Sequence, residues 1–122
     1  MNCATQGNYL MSYSVKTTFH FDKEVKSIAK KHKSIKLAIS KLIDDLEINP
    51  TTGIPLGQNI YKVRISIPGT NKGKSGGARV ITYVMIVDKT VFLTEIYLKS
   101  NHDTVDIDLV VLRLKEAGLI EK

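Results

Sequence analysis

Cysteine is almost absent: Cys3 is the only one in 122 residues, so no internal disulfide can form and a cysteine-based metal cluster is excluded. No apolar run approaches the roughly 20 residues that span a bilayer. Residues 1–10 lack the basic start and apolar centre of a secretory signal. These absences point to the cytoplasm and away from a membrane. Metal-ligand spacing is missing as well. His20, His32 and His102 stand at unrelated intervals, with no Cys or His-x-x-x-His partner. No metal or other cofactor is expected.

Familiar catalytic signatures are missing too. Ser75 has no Gly-x-Ser-x-Gly elbow around it. The neighbours Asp44 and Asp45 fall on the polar side of a helical pattern, where solvation explains them. The Gly-Lys-Ser at 73–75 suggests a nucleotide-binding loop, but that motif needs four residues between its first glycine and the Gly-Lys-Ser. Here Gly69 and Gly73 are separated by only three. The motif must also open a helix, and a β-branched run with strand preference follows instead.

What is present is positive charge. The chain carries +6 at neutral pH with a pI near 9.4, and its 43% hydrophobic content suits one packed domain. Between residues 60 and 99, seven cations (Lys62, Arg64, Lys72, Lys74, Arg79, Lys89 and Lys99) face only Asp88 and Glu95, leaving +5 there. A basic stretch of this kind suits a polyanion such as nucleic acid, although surface lysines also serve solubility.

The pattern along the chain predicts one α+β domain over residues 13–122, behind a flexible leader at 1–12. Met11 is a candidate natural start. Residues 13–20 alternate, with Tyr13, Val15, Thr17 and Phe19 on one face, which predicts a strand. Asp22 is expected to cap a helix reaching about His32, and Ser34 a second one reaching about Asn49, before Pro50. Residues 51–59 read as a loop. Three strands are expected over 60–67, 78–87 and 91–99, followed by a helix from about Thr104 that Gly118 stops. The order is β-α-α-β-β-β-α, and the short connections predict a mainly antiparallel sheet packed by helices.

The residues left to carry chemistry are cations and an aromatic hydroxyl: Arg64, Lys72, Lys74, Arg79, Tyr97 and Lys99. Alternation puts Lys62 with Arg64 on one strand face and Tyr97 with Lys99 on another, so adjacent strands would form a basic cleft with the glycine loop at its rim. Phosphate binding without catalysis accounts for these residue types equally well.

Residues 72–83 read Lys-Gly-Lys-Ser-Gly-Gly-Ala-Arg-Val-Ile-Thr-Tyr, and residues 93–100 read Leu-Thr-Glu-Ile-Tyr-Leu-Lys-Ser. Together they resemble the core of the RelE/ParE toxin superfamily, nearest its HigB-type members, with the order of elements matching from about Tyr13 to Leu119. The resemblance implies a metal-independent endoribonuclease that cuts mRNA in the ribosomal A site, with the ribosome and mRNA as partners. A cognate antitoxin, of helix-turn-helix, HigA-like type, would restrain it. It also implies roles at matching positions. Arg64 is the basic residue before the loop, Lys72 and Lys74 are the loop lysines, and Arg79 opens the next strand. Tyr97 and Lys99 are the polar pair ending the last strand. The chain departs from the pattern at its C-terminus, where some relatives carry a catalytic tail and this sequence has an amphipathic helix. The alternatives are a ParE-like poison of DNA gyrase and a basic nucleic-acid-binding module without activity.

Overall fold

The computed structural model describes residues 12–69, 77–102 and 104–120. The expected leader, up to Met11, lies outside the described residues, as do residues 70–76 with Lys72 and Lys74. In chain order the elements are β1 (Ser14–Thr17), α1 (Phe19–Ala29), α2 (Ile35–Ile48), β2 (Ile54–Gly57), β3 (Ile60–Ile65), β4 (Ala78–Met85), β5 (Thr90–Leu98) and α3 (Ile107–Glu116). They form the α+β architecture that the pattern predicts, with one strand added. The five-stranded sheet has the order β1-β5-β4-β3-β2. β1 runs parallel to β5, and the other neighbouring pairs are antiparallel.

The first strand is shorter than its alternation suggests. It stops at Thr17 because Thr18 turns the chain into α1, its hydroxyl accepting the Phe21 N–H at 3.2 Å. The cap is therefore Thr18, and Asp22 sits in the first turn, where the helix dipole favours an acid. Phe19 continues the alternation by coincidence and is 79% exposed, whereas Phe21 is buried in the core.

α2 follows its sequence closely. Ile35, Ala38, Ile39, Leu42 and Leu46, the stripe picked out by helical spacing, are its buried residues. Ser34 is its N-cap by position only. Its hydroxyl donates to the Pro68 carbonyl at 2.6 Å, pinning the end of the β3 segment to the helix instead of capping it.

The stretch 51–59 is not wholly loop: β2 forms there and pairs with β3. Gln58 and Asn59 take φ of 55° and 64°, the left-handed pair of a type I′ hairpin turn. Pro55 is tolerated because β2 is an edge strand.

The two sheet faces bury different material. One packs Val63, Ile65, Ala78, Val80, Leu93 and Ile96 against Phe21 and the α2 stripe. The other packs Ile60, Ile81 and Tyr97 against Val110 and Leu114 of α3. Asp106 caps α3, accepting the Leu109 N–H at 3.3 Å, so the helix starts slightly later than Thr104 suggests. Among the described residues no helix is long and apolar enough to cross a membrane.

Candidate functional site

Register decides which of the candidate residues meet. Arg64 on β3 lies opposite Arg79 on β4, and Arg79 lies opposite Tyr97 on β5. Directly opposed residues share a face, so the three form one row across the sheet on the α3 side. Arg64 is exposed at one end of the row, while Arg79 and Tyr97 are buried. Arg79 is 1% exposed, and its Nη1 donates to the Ala78 carbonyl at 3.2 Å. A guanidinium keeps its charge wherever it lies, so the middle of the row is a fixed positive centre under the surface.

Gly77 makes that register possible. A Cβ at this position would overlap the Ile65 carbonyl oxygen, so only glycine lets the start of β4 come this close to β3. The Gly77 carbonyl then accepts the Lys99 N–H at 2.9 Å, which ties Lys99, just past the end of β5, to the strand carrying Arg79. Lys99 is half-buried.

A β-bulge sets the last strand's facing. The β4–β5 register shifts between Ile81 and Thr82, where Thr94 is the extra residue and its hydroxyl donates to the Ile81 carbonyl at 3.0 Å. Without this bulge Glu95 would share a face with Leu93. With it, Glu95 and Tyr97 both face α3. Glu95 is 7% exposed and accepts from Arg113 of α3 at 2.6 Å, so the covering helix is held by charge as well as by apolar contact.

Sequence reasoning missed His102. The turn after β5 folds it back, and its ring stacks on Tyr97 with centroids 4.0 Å apart and planes 19° apart. Its Nδ1 lies 2.9 Å from the Thr104 carbonyl oxygen. A carbonyl only accepts, so Nδ1 is the donor in this contact and Nε2 is the ring nitrogen left for other partners. No spacing signals this residue; only the turn brings it to the row.

A second group of ionisable residues lies along the same strand. Glu24 on α1 accepts the Ile96 N–H at 3.0 Å and is 3.3 Å from His20 Nε2. Burial raises the Glu24 pKa above the ordinary glutamate value, and neighbouring Glu95 pushes the same way. The Ile96 hydrogen bond, His20 and Arg113 oppose the rise.

The fold is that of RelE toxins. The free form of a double arginine mutant of the E. coli toxin RelE superposes with a TM-score of 0.58 at 13% identity, over 84% of this chain and 98% of that one. A RelE–RelB complex from Pyrococcus horikoshii OT3 gives 0.48 at 22% identity, covering 75% and 99%. A metal-bound toxin from Helicobacter pylori gives 0.45 at 20%, again covering 75% and 99%. No protein-family model matches the chain, and no curated protein matches it in sequence.

Proposed function

We propose that the chain is the toxin of a type II toxin–antitoxin pair, of HigB-like kind, and that it cleaves mRNA on the ribosome. The observation that carries this reading is the in-register row Arg64–Arg79–Tyr97, with His102 stacked at its end, on a RelE-like fold. RNA supplies its own nucleophile. The ribose 2′-oxygen bonds to the adjacent phosphorus while His102 Nε2 takes its proton, and the bond to the 5′-oxygen breaks. Lys99 supplies the proton that the departing oxygen needs. Arg64, at the exposed end, holds a non-bridging oxygen, and Arg79 opposes the charge that grows on the phosphorane. Tyr97 holds the His102 ring in place. Each role falls on a side chain, so the reaction needs no metal ion.

Lys72 and Lys74 belong to the same reading as phosphate contacts. Changing both to Gln lowers the salt slope of ribosome or RNA binding by ~1 to 2. An antitoxin is required because unrestrained cleavage would kill the host; a HigA-like helix-turn-helix protein with an acidic segment fits the basic stretch. The place of action is the cytoplasm, where ribosomes are.

Mapping mRNA 5′ ends after induction tests the proposal. New ends inside open reading frames, lost in His102→Ala and Arg79→Ala, support it. Growth arrest without new ends would favour a gyrase poison, and neither effect would leave a nucleic-acid-binding module.

A further inference from the structure

Two neighbouring side chains of metal-ligating type on α1 meet a third, distant in sequence, beside β5. His20 and Glu24 stand one turn apart on α1, and Glu95 comes from the strand. One ligand atom from each lies within 4.8 Å of the other two. The short β1 makes this meeting possible: it pairs with β5 only as far as Leu93, and α1 lies along the strand beyond that point.

The donor set is one imidazole nitrogen and two carboxylates, which zinc and related divalent ions accept. Spacing agrees. His20 Nε2 and Glu24 Oε1 are 3.3 Å apart, and two ligands each ~2.0 Å from a tetrahedral ion are about 3.3 Å from one another. His20 Nε2 is also enclosed by protein, yet it makes no hydrogen bond among the described residues, because its approach to Glu24 has the distance without the direction. Buried polar atoms are nearly always satisfied, and an ion at this point would satisfy this one.

Charge and space point the same way. Two carboxylates face one arginine, and Arg113 occupies only Glu95 Oε2. With the imidazole neutral, as ligation requires, the cluster keeps one uncompensated negative charge. A cavity of about 300 Å³ lined by Thr18, His20, Thr94, Arg113 and Glu116 adjoins it, giving an ion access and room for water.

We propose that His20, Glu24 and Glu95 bind one divalent transition-metal ion of the zinc class, with a fourth position open to water from the adjoining cavity. The ion ties α1 to β5 and takes no part in the cleavage chemistry. The site stands whether or not the chain is a nuclease.

The test is titration of the full chain, stripped with chelator, using Co²⁺ as a spectroscopic probe and then Zn²⁺. One equivalent of Co²⁺ should give the strong visible absorption of a four-coordinate site, Zn²⁺ should displace it, and the melting temperature should rise. His20→Ala should erase the band and weaken binding about 100-fold or more. Glu24→Gln, which keeps an acceptor for the Ile96 N–H, should do the same and decides the matter if His20→Ala does not fold. Cys3→Ser and His32→Ala should leave the band intact. The site is refuted if no such band appears, if it survives in a folded His20→Ala or Glu24→Gln, or if either control removes it.

Discussion

The two faces of the sheet solve different problems. On the α1/α2 side the buried residues carry no charge: apart from Thr82 they are aliphatic or aromatic, from Phe21 and Leu46 to Val80 and Ile96. On the α3 side the same strands bury Arg79, Glu95 and Tyr97 among Ile60, Ile81, Val110 and Leu114. Burying charge opposes stability unless partners offset it, while apolar burial favours it at about 25 cal/mol per Å². One face holds the fold together, and the other stores charge that the first face makes tolerable. Substitutions on the two faces should therefore separate stability from activity.

The largest effect belongs to the apolar face. Phe21→Ala should destabilise by about 3–5 kcal/mol, read as a lower midpoint in urea. Phe19→Ala, two residues away but 79% exposed, with Lys23 Nζ 5.8 Å from its ring centroid, should shift stability by about 1 kcal/mol or less. Equal effects would put both rings on one strand face and refute the Thr18 cap. Arg79→Met comes next. It keeps much of the volume and removes the charge, so cleavage should fall about 100-fold, while stability falls by about 1–3 kcal/mol as the Ala78 carbonyl loses its donor. Loss of folding together with activity would make Arg79 a structural residue.

How much of this was legible depends on whether the deciding contact is local. The α2 stripe was legible because one helical period selects the five residues that the core buries. The start of α1 was not, since Thr18 and Phe19 continue an alternation. Their fate is decided by distant contacts: the Thr18 N–H donates to the Leu93 carbonyl at 3.2 Å, and its hydroxyl donates to the Thr94 carbonyl at 3.3 Å. β2 was hidden because Gln58-Asn59 lacks the glycine that usually marks a type I′ turn. At the site, period-two alternation paired Lys62 with Arg64, and the observed register adds Arg79 and Tyr97 to Arg64's row. The bulge at Thr94 and the return of His102 leave no mark in the pattern, since each depends on a partner in another element or turn. The His20–Glu24 pair was hidden because the alternation placed His20 on a strand and Glu24 on a helix, and its third member is Glu95, on a strand far along the chain.

The covering helix offers a smaller test of the charged face. Arg113→Met keeps the apolar stem on α3 and removes the 2.6 Å bond to Glu95. Glu95 is then left buried with weaker compensation, and stability should fall by about 1–2 kcal/mol, below the value for a fully buried pair because Arg113 is one-third exposed. Amide exchange should rise first in α3 and leave α2 unchanged. A uniform rise across both helices would mean that the two faces unfold as one unit.

The smallest expected effect concerns pH, and its sign follows from Glu24. Burial raises this carboxyl above its ordinary value of 4.5 in the folded chain. Between 4.5 and the raised value the folded state therefore binds more protons than the unfolded state, so stability falls as pH rises through that window. The contribution is fully present below 4.5 and absent above the folded value. His20 and Arg113 limit the rise and Glu95 enlarges it, so the window responds to all three. Glu24→Gln removes the titration and keeps an acceptor for the Ile96 N–H. With chelator present, wild type should show a declining urea midpoint just above 4.5, and the variant a flatter profile with a higher midpoint at neutral pH. Parallel profiles would show that Glu24 titrates normally in the folded chain. The burial of charge would then be confined to the α3 face, without reaching the β5 edge under α1.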